Sequence, residues 1–215
     1  MLVLGAGGHG MEVVVYLGDL AASGHPIEAA GILDENSALR RFEGAVPVVG
    51  SISDIVRISR ERAARYYITA FGDNRLRKRI VERVEELTAA SLIPYRVVHP
   101  TAVLGTCIDI GEGSCIAPGC VLTTRVRIGR HCILNVRSSV SHDSEIGDFA
   151  NINPGATVCG CVKIGDGAYI GASATVIDHV SVGEWSVIGA GAVVIHDIPP
   201  HVTAVGVPAK IVRQH

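Results

Sequence analysis

The chain has 215 residues, enough for one large domain or two small ones. Hydrophobic residues make up 48% of it, which excludes disorder, while aromatics are only 4% beside 25 glycines, so the interior is narrow and built from Val, Ile, Ala and Gly. A net charge of −2 gives no electrostatic case for a nucleic-acid partner or an acidic membrane surface, and no apolar run reaches the roughly 18 residues of a spanning helix.

The N-terminal stretch Met-Leu-Val-Leu-Gly-Ala-Gly-Gly-His-Gly has no basic region before its apolar residues, so a cytoplasmic protein is expected rather than a secreted one. Met1–Leu4 reads as a short strand. Gly5-Ala-Gly-Gly-His-Gly10 comes next, then a helix to about Ala22, broken by Ser23-Gly-His-Pro26. Ile27–Leu33 reads as a second strand and Val46–Val49 as a third. Ser53–Ala64 reads as a helix, Arg65–Phe71 as a strand, and a helix runs from Gly72-Asp-Asn74 to about Ala89. Leu92–Val98 leads into the C-terminal half at His99-Pro100. Alternating strands and helices predict an α/β domain with a short parallel sheet over residues 1–97.

From Val98 every sixth residue is aliphatic: 17 consecutive positions, ending at Val194, hold only Val, Ile or Leu. The next residue is Gly at eight of them. Four residues after each aliphatic sits a small or aliphatic residue, such as Ala102, Ser114, Ala150, Ala156, Ala168 or Ala192. Six residues make a short strand and a turn, with one side chain pointing inward at a constant height. Three strands close a triangular coil of 18 residues, and coils stack at a ladder spacing of ~4.8 Å. Residues 98–215 therefore read as a parallel β-helix of five to six coils and a tail, with the glycines serving the bends. The chain is expected to leave it at Ile198-Pro199-Pro200.

Gly5 to Gly10 match G-x-G-x-x-G between a strand and a helix, with Asp34 ending the next strand. Such a loop lets backbone N–H groups approach the phosphates of a nucleotide it does not name; a ligand-free tight turn is the alternative, and NAD is disfavoured because only one mononucleotide-binding half is present. The six cysteines, Cys107 to Cys161, lack zinc-site spacing and read as small buried thiols. Arg75, Arg77, Lys78 and Arg79 read as a solvated helix face, with a phosphate contact as the alternative.

One coil is 18 residues, so columns can be read off. Thr106, Thr124, His142, Gly160, Asp178 and His196 share one. Gly160 therefore stacks on His142, leaving a slot for the imidazole and a backbone N–H where an oxyanion could form. Asp143 adjoins His142, but adjacent strand residues point to opposite faces, so the two meet only if the chain bends there. His196-Asp197 repeats the pair and reads as a surface terminus. His196 and His201 have a metal-like spacing but two prolines between them and no evident third ligand.

Across nearly its whole length the chain resembles the hexapeptide-repeat acyltransferases that carry an N-terminal nucleotide-sugar domain. These include sialic acid O-acetyltransferases and the N-acetyltransferases of nucleotide-linked amino sugars of bacillosamine and perosamine type. The marks are Gly5-Ala-Gly-Gly-His-Gly10, Ile32-Leu-Asp34, Ala70-Phe-Gly-Asp-Asn-Arg75, Ser138-Ser-Val-Ser-His-Asp143, the hexads, and Gly206-Val-Pro-Ala-Lys210. The resemblance implies a left-handed β-helix and a homotrimer with acetyl-CoA lying between neighbouring prisms. It implies His142 as general base, Asp143 as its acidic companion and Gly160 as oxyanion donor. Asn151 is placed near the thioester, and Ala172 and Ala190 along CoA. Gly7, Gly8, His9, Asp34, Glu35 and Gly72 are placed in the sugar-nucleotide pocket. No metal is expected.

The function so implied is acetyl transfer from acetyl-CoA to the amine of a nucleotide-linked amino sugar, directly in a ternary complex. An ammonium cannot attack a thioester, and an imidazole, which titrates near neutrality, suits the deprotonation. Transfer to a sugar hydroxyl is the alternative. A metal hydrolyase like the trimeric γ-type carbonic anhydrases and a non-catalytic nucleotide-sugar binder are further alternatives from other classes.

Overall fold

The computed structural model describes residues 1–36 and 46–215, which divide into two compact units, Met1–Pro100 and Thr101–His215. In the first unit the elements run β1 (Leu2–Leu4), α1 (Gly8–Ala22), β2 (Gly31–Leu33), β3 (Val48–Gly50), α2 (Ile55–Glu61), β4 (Tyr66–Thr69), α3 (Asn74–Thr88) and β5 (Ile93–Pro94). All five strands are parallel, in the order β3-β2-β1-β4-β5. β2 is shorter than the apolar run from Ile27 predicts, because its partner β1 offers only Leu2 to Leu4 for pairing. α2 is likewise shorter than predicted, with a 3-10 turn, Ile52–Asp54, before it. Ile93–Pro94 joins this sheet beside β4 instead of forming a lead-in.

The core of this unit packs Leu2, Leu4, Leu33 and Tyr67 of the sheet against Ile55 and Ile58 of α2 and Ile80 and Val84 of α3. Burial of each such side chain contributes about 1.5–3 kcal/mol. Arg77 departs from the solvated face expected of the basic cluster. It is fully buried, and its guanidinium donates to Phe71 O at 2.7 Å. Among the described residues, no helix is long and apolar enough to cross a membrane.

The second unit is a three-walled parallel β-helix. The first wall stacks Val103–Thr106, Val121–Thr124, Ser139–Val140, Thr157–Val158, Thr175–Val176 and Val193–Val194. The second runs from Asp109–Ile110 to Ser181–Val182, and the third includes Cys115–Ile116 through Val187–Ile188. Registers are uniform: Leu122 lies beside Leu104 and Val140, Ile128 beside Ile146, and Leu134 beside Ile152, each 18 residues apart. From Ile110 to Val194 the sixth-residue aliphatics line the interior at 5% exposure or less. Leu104 stands at the end of its wall and is 40% exposed.

Two expectations change here. The chain does not leave the stack at Ile198. That residue bridges Val182, and Val202–Val205 pairs beside Val187–Ile188, both over 16 residues. The final coil is thus two residues short, and Asp197 Oδ1 takes the Ser181 N–H at 2.7 Å. The bends, moreover, are not made at the glycines that follow the aliphatics. They fall two positions later, on residues in the left-handed region such as Cys107, Arg125, Asp143 and Cys161 (φ 48–60°). The glycines provide clearance instead. A Cβ on Gly165 would lie 2.5 Å from Glu184 N, and one on Gly147 would lie 2.6 Å from Asp166 N.

Gly165→Ala is accordingly expected to cost about 1–3 kcal/mol, since coil backbones must separate. Gly18→Ala, in the middle of α1 with open space at its Cβ position, is expected to stabilise by about 0.5–1 kcal/mol. Denaturant unfolding of both variants checks the pair, and an unchanged Gly165→Ala midpoint contradicts the clearance argument.

Candidate active site

His142 and Asp143 occupy the corner between the first wall, which this coil leaves at Val140, and the second, which it joins at Glu145. Asp143 has a φ of 60°. This bend turns its side chain back, and Asp143 Oδ2 meets His142 Nδ1 at 2.8 Å. The contact that alternation along a strand forbids is thus made by a left-handed corner. One coil on, a Cβ at position 160 would lie 2.5 Å from His142 Cε1 and 2.7 Å from Nε2. The imidazole fills the place where a side chain would be, so His142 and Gly160 form one feature, as their column predicts. The neighbouring amides are committed: Cys159 N–H donates to Val176 O and Cys161 N–H to His142 O.

Two residues to which the sequence assigns no role also stand here. Arg125, one coil before Asp143, reaches Oδ1 through Nε at 2.6 Å and Oδ2 through Nη2 at 3.0 Å. The guanidinium, followed by the bond from His142, holds the Asp143 carboxyl down at about 2, so it is ionised at any physiological pH. Cys161 brings its thiol close enough that single donor atoms of His142, Asp143 and Cys161 lie within 4.8 Å of one another. Thr124 O accepts the Asp143 N–H at 3.2 Å. The 18-residue column through Asp143 (Cys107, Arg125, Cys161) was the signal that could have found both.

Asn151, Ala172 and Ala190 lie elsewhere. Asn151 is on the third wall and 2% exposed, offering little surface in this chain. Ala172 and Ala190 follow the third-wall strands Tyr169–Ile170 and Val187–Ile188 and share a column. A single chain therefore does not bring them to His142. His196 and His201 are not part of a three-donor cluster among the described residues, and His201 faces Glu184 at 3.4 Å.

In the first unit Gly7, Gly8, His9, Asp34, Glu35 and Gly72 all follow the C-terminal ends of β1, β2 and β4. The sheet order reverses between β1 and β4, which is where open α/β sheets hold ligands. Gly10 keeps the loop tight, since a Cβ there would lie 2.1 Å from Gly5 O. Gly7, Gly8 and Gly72 face open space. Among the described residues α1 has no acidic residue in its first turn and no side-chain cap, which leaves the dipole of this helix end unopposed by a carboxylate in that turn. Asp34 is buried and structural in part: Oδ2 takes the Ala6 N–H and Oδ1 the Asn36 N–H, each at 2.7 Å. His9 Nδ1 lies 3.0 Å from Glu12 Oε2, its Nε2 is buried without a partner among the described residues, and burial lowers its pKa.

A triangular prism of stacked hexads with a histidine at its corner defines the hexapeptide-repeat transferase class. Residues 161–196 match the bacterial transferase hexapeptide family (six repeats), and residues 1–84 match the PglD N-terminal domain. A crystal structure of a GDP-perosamine N-acetyltransferase variant from Caulobacter crescentus, in complex with CoA and GDP-perosamine, superposes with a TM-score of 0.88. It is 31% identical, over 99% of this chain and 96% of that one. The acetyltransferase domain of PglB from Neisseria gonorrhoeae, in complex with acetyl coenzyme A, has a TM-score of 0.87 at 30% identity, over 98% of each chain. A GDP-perosamine N-acetyltransferase of Escherichia coli is 33% identical over 81 residues, which span 38% of this chain and only 35% of that relative. The chain belongs to the hexapeptide-repeat sugar acetyltransferases of perosamine and bacillosamine type, and its β-helix is left-handed as theirs is.

Gly160→Ala is expected to expel the imidazole from its slot and break the bond to Asp143. The His142 ring resonances should shift, while Tm moves by less than about 4 °C because only an exposed side chain must give way. Asp34→Ala is expected to destabilise the first unit by about 1–3 kcal/mol through two unpaired amides. Urea unfolding followed on that unit's amides checks it, and Asp34→Asn should recover part of the loss.

Proposed function

We propose that this chain transfers the acetyl group of acetyl-CoA to the amino group of a nucleotide-linked amino sugar. The observation that carries the proposal is the imidazole of His142, seated under Gly160 and bonded through Nδ1 to an ionised Asp143. With Nδ1–H donated to the carboxylate, Nε2 keeps its lone pair for a substrate proton. Nε2 takes a proton from the sugar ammonium, and the free amine attacks the thioester carbonyl. The oxyanion that forms is held by the Gly160 N–H. As the tetrahedral species collapses, the C–S bond breaks, the departing CoA sulfur recovers a proton from the imidazolium, and the nitrogen releases its surplus proton to solvent as the amide forms.

The nucleotide is assigned to the first unit. Its phosphates lie against Gly7, Gly8 and the first turn of α1, with His9, Asp34, Glu35 and Gly72 around the rest. CoA is assigned to the edge marked by Ala172 and Ala190, with Asn151 behind it. Those residues and His142 stand on different corners of one prism, so a complete site calls for a second copy, and a homotrimer supplies one at each corner. The working place is the cytoplasm, and the product is a sugar for polysaccharide biosynthesis. An amine is preferred to a hydroxyl as acceptor because the similar Caulobacter crescentus structure and the Escherichia coli relative are N-acetyltransferases by name.

Thiol release from acetyl-CoA, measured with amino sugars linked to GDP, UDP and dTDP, tests the reaction. His142→Asn is expected to lower turnover about 10²-fold or more, with CoA affinity retained. Near-normal turnover of that variant removes the base assignment.

A further inference from the structure

The Arg125 side chain is 62% exposed and the Asp143 side chain 35% exposed. An ion pair this open adds little to folding. Yet the fold goes to some length to assemble it. Both residues occupy left-handed corners, at φ 48° and 60°. Their amides step along the same ladder, Arg125 N–H to Thr106 O at 2.9 Å and Asp143 N–H to Thr124 O at 3.2 Å. The Thr106 and Thr124 hydroxyls meet at 2.7 Å in the column beside them. Backbone stacking thus places the two side chains one coil apart, and the fork of Arg125 engages both carboxylate oxygens. Oδ2 is also the atom that meets His142 Nδ1.

We propose that Arg125 is a positioning residue for acetyl transfer: it clamps Asp143 in the one rotation that bonds His142 Nδ1 and leaves Nε2 facing the substrates. This rests on the reading of His142 as the base. Cys107, Asp109, Arg127 and Glu145 line the same depression as Arg125 and Asp143, and the Cys161 thiol stands beside the carboxylate. None of them makes a described hydrogen bond or ion pair to Asp143, so the carboxylate is oriented by Arg125 and His142. Lysine carries one compact cationic head and cannot form the fork.

Arg125→Met is expected to lower kcat by about 10- to 100-fold through loss of alignment, with KM for acetyl-CoA changed less than about twofold. Arg125→Lys should recover only part of the loss. The double variant Arg125→Met/Asp143→Asn should be no slower than Asp143→Asn, because both changes remove one device. Imidazole ¹⁵N spectra should show the Nδ1–H tautomer of His142 in the parent and a mixture in Arg125→Met. Normal kcat in Arg125→Met, multiplying losses in the double variant, or an unaltered tautomer overturns the proposal. The spectra need no substrate, so they judge the clamp even where the His142→Asn assay rejects the base.

Discussion

Residue i lies beside residue i+18 through the β-helix, and everything in the C-terminal unit depends on that register. It arises from two demands met together. Each wall must complete its backbone ladder with the coil above, and each coil must point one aliphatic inward at the same height. Ile110 through Val194 satisfy both without an insertion. A one-residue slip would turn every inward side chain outward. The register also delivers the chemistry, because a histidine on one coil meets whatever stands 18 residues on. At position 160 that residue is glycine, and the imidazole takes the vacant volume.

The corners show how a regular frame accommodates irregular chemistry. Each coil turns through residues in the left-handed region, a conformation that costs a non-glycine residue about 1–2 kcal/mol. The ladders on either side offset this, and a corner side chain then leans along its edge instead of alternating. Arg125, Asp143 and Cys161 form a column at such an edge. Glycines beside the aliphatics do a different job, letting adjacent backbones come close. Spacing alone does not separate the clearance positions from the bending ones, since both recur every six residues.

The N-terminal unit solves its problem by a different rule. Its sheet order reverses between β1 and β4, and the loops after both strands carry glycines that face open space. Asp34 secures the first of these loops from the side by bonding Ala6 N–H. The residue that a fingerprint would assign to a ligand is also part of the frame that holds the loop in place. Arg77, from a basic run that reads as solvated, is instead a buried tie to Phe71. Charge patterning along a helix does not reveal which member turns toward the sheet.

The period of six, read from residues alone, determined the coil length, the three walls, the inward aliphatics and the stacking of Gly160 on His142. It determined these because a short strand and its turn repeat without interruption, so distance along the chain becomes height in the prism. Strand limits in the first unit, the shortened last coil and the side-chain directions at the corners were decided only in three dimensions. β2 begins only where its partner begins, at Gly31 beside Leu2, and the coil through Ile198 closes two residues early. Asp143 reaches His142 because φ at one residue is positive, and Arg125 reaches Asp143 because two such corners are stacked. A hexad records which face a residue belongs to, whereas backbone angles and neighbours from another coil decide where its side chain points.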